Sequence, residues 1–305
     1  MKSGSTSHSG IYVEILILQT LERVWQLTQQ PELHERWDLR FSQIRYLPRA
    51  SLADPQRFIY ETRLGFGLTI KGTGESVGQC SKNGDTTSSL KFVSEDPKSL
   101  IRQGSGYWRY VPTNNGLRFF TWYDYQVRFG ALGRLIDRFI FRPLIGWATA
   151  WSFDCLRLWA EKDQSPETSL NLCVIHGVVR IALSFVWIWH GLVPKLLYQN
   201  LDERAMLSQA GVSLQWLPGI GSLEILFGVI VLLAWNRREV LVANGILMIA
   251  ATIAVAINSP IYLKAAFNPV TLNLAVAALC VVGWLASRSL PSAGRCLRKE
   301  PKGQV

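Results

Sequence analysis

The sequence predicts an α+β domain, in which an antiparallel sheet wraps a long C-terminal helix, followed by an all-α bundle of four transmembrane helices. In the first half, short runs with a period of two alternate with turn signals, which is typical of strands. The long apolar runs lie almost entirely in the second half. A chain of 305 residues, 49% of them hydrophobic, with a mean hydropathy of +0.14, is too apolar for an ordinary soluble protein.

The first half is expected to combine strands with two short helices. Its first ten residues are small and polar and are predicted to be disordered. "YVEILIL" predicts the first strand, and "TLERVWQLTQQPELHERWD" predicts two short helices that break at Pro31. Residues 131–161 have helical periodicity, and Pro143 should kink or divide that helix. Turn signals such as "NGD" and "NNG" separate the other strand candidates, which lie near residues 42–47, 57–64, 68–77, 86–93, 106–111 and 117–125.

The second half contains four apolar runs that are long enough to cross about 30 Å of hydrocarbon. They lie at about residues 174–198, 215–235, 240–258 and 269–287. The polar segment "EKDQSPETS" precedes them and predicts a linker. We therefore expect a globular domain at residues 11–163, a linker at 164–173, a membrane domain at 174–288 and a basic cytoplasmic tail at 289–305.

Charge near the apolar runs predicts the membrane topology. Basic residues mark the cytoplasmic side of a membrane protein. Arg237 and Arg238 lie between the second and third runs, and further basic residues follow the fourth, whereas the other two connections carry few. Four crossings return both termini to one side. We expect a multi-pass protein of the cell (inner) membrane with both termini in the cytoplasm.

Composition and motifs exclude several functions. The net charge of +10 clusters beside apolar runs and forms no nucleic-acid-binding motif. The five cysteines are far apart, which argues against a redox pair, a zinc site or a disulfide framework. No catalytic residue, metal site or cofactor is predicted, and whether the chain catalyses a reaction stays open. His34 stands between Leu33 and Glu35 on a short helix and is expected to be solvated.

The first half resembles a known superfamily. The order of its elements, "LTQQPELHERWDLRF" after the first strand and "GWATAWSFDCLRLWAEK" in the last helix are similar to the SRPBCC, or START-like, helix-grip proteins over about residues 11–163. That superfamily includes lipid carriers, cyclases and chaperone cofactors. The resemblance implies a fold and a ligand cavity without fixing a reaction.

The second half resembles the DoxX-like family of small four-helix membrane proteins over about residues 174–288. "RIALSFVWIWHGLVPKLL", "GSLEILFGVIVLL" and "SPIYLKAAFNPVTLNLAVAAL" carry this resemblance. Most DoxX-like proteins have no established activity. The name-giving members are associated with quinone-linked sulfur oxidation, so the resemblance also implies that the membrane half binds a quinone for a partner enzyme.

Glu224 is a carboxylate near the middle of the second apolar run, where an isolated charge is costly. It can form a structural ion pair with Arg180, line a polar pocket for a headgroup, quinone or proton relay, or stay protonated. Lys195 is expected to snorkel to the headgroups as an anchor. The predicted intramembrane polar cluster consists of Arg180, His190, Glu224, Asn258 and Asn273.

Aromatic residues alternate along several strand candidates and recur on the long helix. They either fill a hydrophobic core or leave the apolar cavity that the helix-grip resemblance implies. The candidate lining residues are Phe58, Tyr60, Tyr107, Phe119, Tyr123, Trp147 and Trp151.

Three functions remain open at this point. In the leading hypothesis, the cytoplasmic helix-grip domain binds a hydrophobic small molecule or lipid near the membrane. In the alternatives, the chain is a DoxX-like accessory subunit of a quinone-linked membrane oxidoreductase, or a membrane scaffold without a ligand. The expected partners are the lipid bilayer, an apolar ligand or quinone, and an oxidoreductase or further copies of the chain. No nucleic acid is expected.

Overall fold

The computed structural model describes residues 10–51, 54–65, 67–82 and 84–301. The predicted disordered segment at residues 1–10 lies outside this range apart from Gly10. The chain divides into two compact units. The grip unit is the chain up to Ser169 together with the chain from Pro291 onward, and the bundle unit is Leu170–Leu290.

An antiparallel sheet forms the body of the grip unit. Its strands, as far as the described residues show, are β1 (Ile11–Ile17), β2 (Gln43–Tyr46), β3 (Arg57–Gly65), β4 (Leu68–Lys82), β5 (Asp85–Val93), β6 (Ile101–Thr113) and β7 (Gly116–Val127). The strand order is β1-β7-β6-β5-β4-β3-β2. The predicted antiparallel meander is confirmed, although β6 begins earlier than the predicted residue 106.

The helices of the grip unit are α1 (Leu21–Gln29), α2 (Pro31–Trp37), α3 (Gly130–Ile136) and α4 (Arg142–Lys162), and a π-helical segment, Asp137–Phe141, joins the last two. Thr20 caps α1 by accepting a hydrogen bond from the backbone N of Arg23 at 3.3 Å. Pro31 begins α2, where a missing N–H costs nothing. Pro143 is the second residue of α4, so the long helix divides where the proline predicts.

The sheet wraps α4, as the helix-grip prediction expects. Residues 149–156 in the middle of this helix are all buried. The ring of Phe153 lies 4.6 Å from that of Phe119 on β7, and both side chains are fully buried. Burying one such side chain contributes roughly 1.5–3 kcal/mol. This aromatic contact between helix and sheet is the centre of the grip unit's core.

The C-terminal segment packs onto α4 and β1. Asp154, a fully buried residue of α4, accepts hydrogen bonds from the backbone N of Ser292 and from Arg295, both at 2.7 Å. Leu297 pairs with Glu14 of β1 through two backbone hydrogen bonds of 2.9 Å. The prediction of a separate basic tail at 289–305 is therefore corrected: residues 292–298 complete the grip unit, because they satisfy a buried carboxylate and a strand edge.

The bundle unit is helical throughout its regular segments. They are α5 (Pro166–His190), a π-helical segment (Gly191–Leu197), α6 (Leu201–Gln209), α7 (Leu217–Leu233), α8 (Glu239–Asn258) and α9 (Pro269–Ala286), with short 3-10 turns between them. Over the described residues, four helical stretches are long and apolar enough to cross a membrane. The helix α6 lies in a connection for which no helix is predicted.

The predicted linker at residues 164–173 is largely wrong. The hydroxyl of Ser165 accepts a hydrogen bond from the backbone N of Thr168 at 3.1 Å, and Pro166 follows it as the first residue of α5. A serine cap before a proline is a strong start signal for a helix. Asp163, with φ at +51°, ends α4. The connection between α4 and α5 is therefore only the residues 163–165.

We expect Asp154→Asn to destabilise the grip unit by roughly 3 kcal/mol, because Arg157 at 2.7 Å and Arg295 lose the buried charge that pairs with them. Thermal unfolding of the full-length protein in detergent measures this, and protease cleavage after residue 290 should become faster. Asp163→Asn, directly after the same helix, is the control, since its side chain is 88% exposed. Equal unfolding temperatures for the two variants would contradict the docking of the C-terminal segment.

Candidate functional site

The grip unit contains a cavity of about 1000 Å³ between the sheet, the short helices and the first turns of α4. Alternate residues of β3 point into it, because a strand directs every second side chain to one face. Those residues are Phe58, Tyr60, Thr62 and Leu64. Other strands add Ile70, Ser88, Leu90, Phe92, Trp108, Thr121 and Tyr123. Every lining residue lies between Thr28 and Ala148, so the cavity belongs to the grip unit alone.

Glycines opposite aromatic residues hold rings of the cavity wall close to the sheet. The pairs are in register across neighbouring strands: Gly72 with Tyr60, Gly74 with Phe58, and Gly104 with Phe92. A Cβ on Gly72 would lie 2.3 Å from the Tyr60 ring, and one on Gly74 would lie 2.1 Å from the Phe58 ring. The rings therefore cover the glycine backbone, and the space above them remains open.

A buried charged cluster forms part of the cavity wall. The Nε of Arg40 donates to Oδ1 of Asp38 at 2.8 Å, and Nη2 donates to Oδ2 at 2.6 Å. The Nε2 of His34 lies 3.0 Å from Oδ2 of the same carboxylate, which has no exposed surface. His34 and Arg40 line the cavity, and Asp38 does not. Asp38 thus orients the two side chains that face the cavity.

Burial and pairing set the protonation of this cluster. Burial lowers the pKa of His34, although the neighbouring Asp38 opposes the shift. Burial alone would raise the pKa of Asp38, but the Arg40 guanidinium outweighs it and holds this pKa well below its usual range. Asp38 is therefore ionised and His34 is neutral at pH 7. Neutral His34 donates its Nε2–H to Asp38 and keeps an acceptor lone pair on Nδ1.

The cavity offers hydrogen-bonding groups to a ligand. Among the described residues, the Nδ1 of His34 and the hydroxyl of Tyr60 have no hydrogen-bond partner. The ring of Phe41 contacts both side chains, with centroid distances of 5.2 Å to His34 and 5.5 Å to Tyr60. Burial raises the pKa of Tyr60 to about 12, so its hydroxyl is neutral. One acceptor and one neutral donor thus face a space that aromatic, aliphatic and further polar side chains line.

The bundle unit contains a separate polar cluster around Lys195. Its Nζ lies 3.1 Å from the carboxylate of Glu203 on α6 and 3.0 Å from that of Glu224 on α7. The Lys195 side chain is only 9% exposed. One ammonium therefore lies between a carboxylate of α6 and a carboxylate near the middle of α7. Such pairing offsets the cost of removing the charges from water.

Small residues bring the backbones of two helices together beside this cluster. A Cβ on Gly191 would lie 2.3 Å from the carbonyl oxygen of Gly221, and one on Gly221 would lie 2.7 Å from the carbonyl oxygen of Gly191. A Cβ on Gly228 would meet the carbonyl oxygen of Ser184 at 3.0 Å. Only glycine allows this approach, which is typical of helix contacts in membranes.

Arg180 is fully buried near the other end of α7. Its guanidinium donates to the backbone oxygens of Val231 and Arg237, both at 2.7 Å. Its Nε donates to Nε2 of His176 at 3.0 Å, and the Nδ1 of that imidazole lies 3.3 Å from the oxygen of Gly283. A cation here satisfies carbonyls that the end of a helix leaves without partners.

Comparison with known proteins identifies the family. The DoxX-like family matches residues 184–281 of the bundle unit. The uncharacterized membrane protein YndG of Bacillus subtilis (strain 168) is 49% identical over 183 residues, which cover 59% of this chain and 68% of YndG. The chain is a membrane protein of the same family as YndG, and its bundle unit contains a DoxX-like domain. The predicted DoxX-like resemblance of the second half is thereby confirmed.

Solved structures are similar to the N-terminal fold of this DoxX-like protein. A hypothetical protein, jhp0584 from Helicobacter pylori, is 16% identical, covers 52% of this chain and 92% of its own, and has a TM-score of 0.40. A STAR-related lipid transfer protein from Xanthomonas axonopodis is 13% identical, covers 48% of this chain and 82% of its own, and has a TM-score of 0.36.

The candidate lining residues occupy different places in the DoxX-like protein. Phe58, Tyr60, Tyr107 and Tyr123 line the cavity. The other three are not among the lining residues: Phe119 is fully buried against α4, Trp151 is 8% exposed and Trp147 is 44% exposed. The filled core and the cavity thus divide the aromatic residues between them.

The predicted intramembrane cluster is not one site. Arg180 donates a hydrogen bond to a backbone oxygen near the end of α7. Asn258 donates to the oxygen of Ala254 in its own helix at 2.9 Å, and Asn273 donates to the hydroxyl of Thr252 at 3.0 Å. Glu224 pairs with Lys195, so the alternative in which it pairs with Arg180 and the expected anchoring role of Lys195 are both wrong. Arg180 contacts Val231, which lies seven residues beyond Glu224, or about 10 Å along the helix. The oxygen of His190 lies 3.5 Å from Nζ of Lys195.

The sequence interpretation missed the charged cluster of the cavity wall. His34, predicted to be solvated, stacks on Trp37 at 5.0 Å and lies edge-on to Trp108 at 4.9 Å. The spacing of His34, Trp37 and Asp38 in the sequence places the three residues on one helical face, and this spacing could have predicted the cluster. Over the described residues, no group of three His, Cys, Asp or Glu side chains is arranged to hold a metal ion.

We expect Lys195→Met to destabilise the DoxX-like bundle by roughly 3–5 kcal/mol, because Glu203 and Glu224 lose the cation between them. Glu224→Gln should cost less, since Lys195 keeps Glu203. Thermal unfolding of the full-length protein in one detergent compares them, with Asp202→Asn in the same connection as the control. If Glu224→Gln proves as damaging as Lys195→Met, Glu224 has a role beyond this ion pair.

We expect His34 to make the protein less stable as the pH falls below about 6.5. The unfolded chain protonates His34 near its ordinary pKa of about 6.5, whereas the folded pKa is lower, so the unfolded state binds more protons in between. The loss is at most about 1.4 kcal/mol per pH unit within that window. The charged groups facing His34 are Asp38, Arg40 and Glu35.

Unfolding temperatures at pH 7.0 and at about pH 5.5 measure this dependence. In His34→Gln, the unfolding temperature should fall less between the two pH values than in the wild-type protein. Arg36→Gln, on the same helix, should keep the wild-type fall because an arginine does not titrate in this range. Equal slopes for the wild-type protein and His34→Gln would show that His34 is not buried in its neutral form.

Proposed function

We propose that the grip unit of this DoxX-like membrane protein binds a hydrophobic small molecule or lipid in its internal cavity. The observation that carries the proposal is a space of about 1000 Å³ lined by aromatic and aliphatic side chains. This volume lies at the upper end of the range for small-molecule pockets. The space is accessible to water-sized molecules, so either water or a ligand fills it.

The lining favours a ligand over water. Water needs two to four polar partners at each site, and the β3 and β5 walls present mainly Phe58, Leu64, Leu90 and Phe92. An apolar ligand removes this surface from water with a gain of roughly 25 cal/mol for each Å² buried. The glycine positions opposite the aromatic rings support the same conclusion, because larger residues there would fill the space.

The polar groups of the cavity indicate the chemistry of the ligand. Arg40 already pairs with Asp38 through two hydrogen bonds, so this arginine does not supply a free cation. His34 offers an acceptor and Tyr60 a neutral hydroxyl. The ligand that fits is a largely apolar molecule with a neutral donor or acceptor, such as a hydroxyl or carbonyl group.

The proposed location is the cell (inner) membrane, with the grip unit in the cytoplasm. Arg237 and Arg238 between α7 and α8, together with the basic residues after α9, support this orientation. The grip unit contains the chain on both sides of the bundle unit, which agrees with an even number of crossings. A cavity on the cytoplasmic side would exchange its ligand with the inner leaflet.

The test uses the full-length protein, because the C-terminal segment belongs to the grip unit. We expect native mass spectrometry of the protein, extracted in mild detergent, to show one retained apolar molecule. Gly72→Val should reduce its occupancy at least about tenfold, because a side chain there drives the Tyr60 ring into the cavity.

Thr73→Val is the matched control for Gly72→Val. It lies on the same strand, but its side chain is exposed, so the occupancy should stay at the wild-type level. No retained molecule in the wild-type protein, or equal occupancy in both variants, would refute the cavity proposal. A molecule that is lost in Glu224→Gln but kept in Gly72→Val would instead favour the quinone-linked alternative.

A further inference from the structure

A helical arm that no other described element covers projects from the grip unit between β7 and α4. It consists of α3 with the π-helical segment, Gly130–Phe141. Its large apolar side chains are strongly exposed: Leu132 at 63%, Leu135 at 56%, Phe139 at 66% and Ile140 at 63%. The apolar surface continues onto the first turns of α4 with Leu144 and Trp147. A contiguous exposed apolar surface of this kind marks an interaction site.

The exposed charges of the arm are all positive. Arg134 and Arg138 are exposed, and Asp137 is the only acidic residue in the sequence of this segment. Asp137 is 4% exposed and accepts hydrogen bonds from the hydroxyl of Tyr125 at 2.7 Å and from Nε of Arg142 at 3.0 Å. The surface therefore combines large apolar side chains with basic ones, which is the composition of helices that lie in an anionic lipid interface.

The arm is fixed in this exposed position by its own backbone. Phe129 and Gly130 have successive positive φ values of +65° and +54°. A Cβ on Gly133 would lie 1.7 Å from the carbonyl oxygen of Arg128, so only glycine allows the tight first turn. The Asp137 hydrogen bonds hold the start of the π-helical segment. The apolar face is thus presented by a segment that is anchored at both of these points.

The other side of the arm forms part of the cavity wall. Phe129, Ile136 and Phe141 line the cavity, as does Leu144 just after the arm. Only residues 163–165 connect α4 to α5, the first membrane-span candidate. The ends of these two helices cannot be more than roughly 14 Å apart.

We propose that the arm docks into an anionic lipid surface. Leu135, Phe139 and Ile140 enter the acyl region, and Arg134 and Arg138 contact the lipid phosphates. The inference goes beyond ligand binding, because the docking requires only the exposed face and holds whether or not the cavity is occupied. The docked arm places the cavity wall at the bilayer, where an apolar ligand is soluble.

The test measures how deeply the arm enters the bilayer. It uses the full-length protein with Cys80→Ser, which removes an exposed cysteine. An environment-sensitive fluorophore is attached at Phe139→Cys, or at Thr73→Cys as the control on an exposed strand position. The protein without an introduced cysteine supplies the blank. The vesicles contain phosphatidylcholine with or without phosphatidylglycerol, and a nitroxide in the upper acyl chain serves as the quencher.

We expect the fluorophore at position 139 to be quenched at least about threefold more than that at position 73 in vesicles with phosphatidylglycerol. Arg134→Glu combined with Arg138→Glu should reduce the quenched fraction about fivefold or more. Gly72→Val should leave the quenching unchanged, so a failure of ligand binding is distinguishable from a failure of docking.

Equal quenching at positions 139 and 73 would overturn the proposal. Cross-linking between two copies at position 139, increasing with protein density and without lipid quenching, would also overturn it and would assign the arm to an interface between copies. Quenching that is the same with and without phosphatidylglycerol would remove the role of the two arginines and contradict the anionic specificity.

Discussion

The grip unit depends on how one sheet divides its inner face between a filled core and an open cavity. On β7, Phe119 meets Phe153 of α4 at 4.6 Å and fills the space completely. On β3, Tyr60 and Phe58 lie over glycines of β4. Protein interiors normally pack to crystal-like density, and a space that is not held open fills with side chains. Glycine opposite an aromatic ring prevents this, because the ring covers the neighbouring strand and leaves the space above it open.

Buried charges in both units obey the same rule. A charge removed from water is tolerated when another group compensates it closely. Asp154 accepts hydrogen bonds from the C-terminal segment, and Asp38 accepts them from Arg40. Lys195 lies between Glu203 and Glu224. Two of these contacts join elements that are distant in the chain: Asp154 of α4 with the C-terminal segment, and Lys195 with Glu224 of α7. The charges therefore specify which elements meet, while the apolar contacts supply most of the stability.

Local signals in the sequence predicted the secondary-structure elements, but they did not predict which residues distant in the chain contact each other. Proline positions and the period of two gave the strands, the short helices and the four apolar helices. The alternative that paired Glu224 with Arg180 was wrong because it used only the depth of each residue along its helix. Which side chains face each other also depends on helix rotation, and the π-helical segment around Lys195 changes that rotation. The docking of Leu297 on β1 has no local signal at all.

The arm and the cavity are two sides of one segment. Ile136 and Phe141 face the cavity, while Leu135 and Phe139 face outward. A wall this thin separates an apolar interior from an apolar exterior by a single layer of side chains. In the proposed exchange, a ligand that crossed this wall into lipid would not meet bulk water, so the barrier would be set by side-chain rearrangement and not by the hydration of the ligand. Because backbone geometry fixes the start of the arm and the Asp137 hydrogen bonds fix the start of its π-helical segment, the proposed exchange would act through side-chain rotamers of the arm.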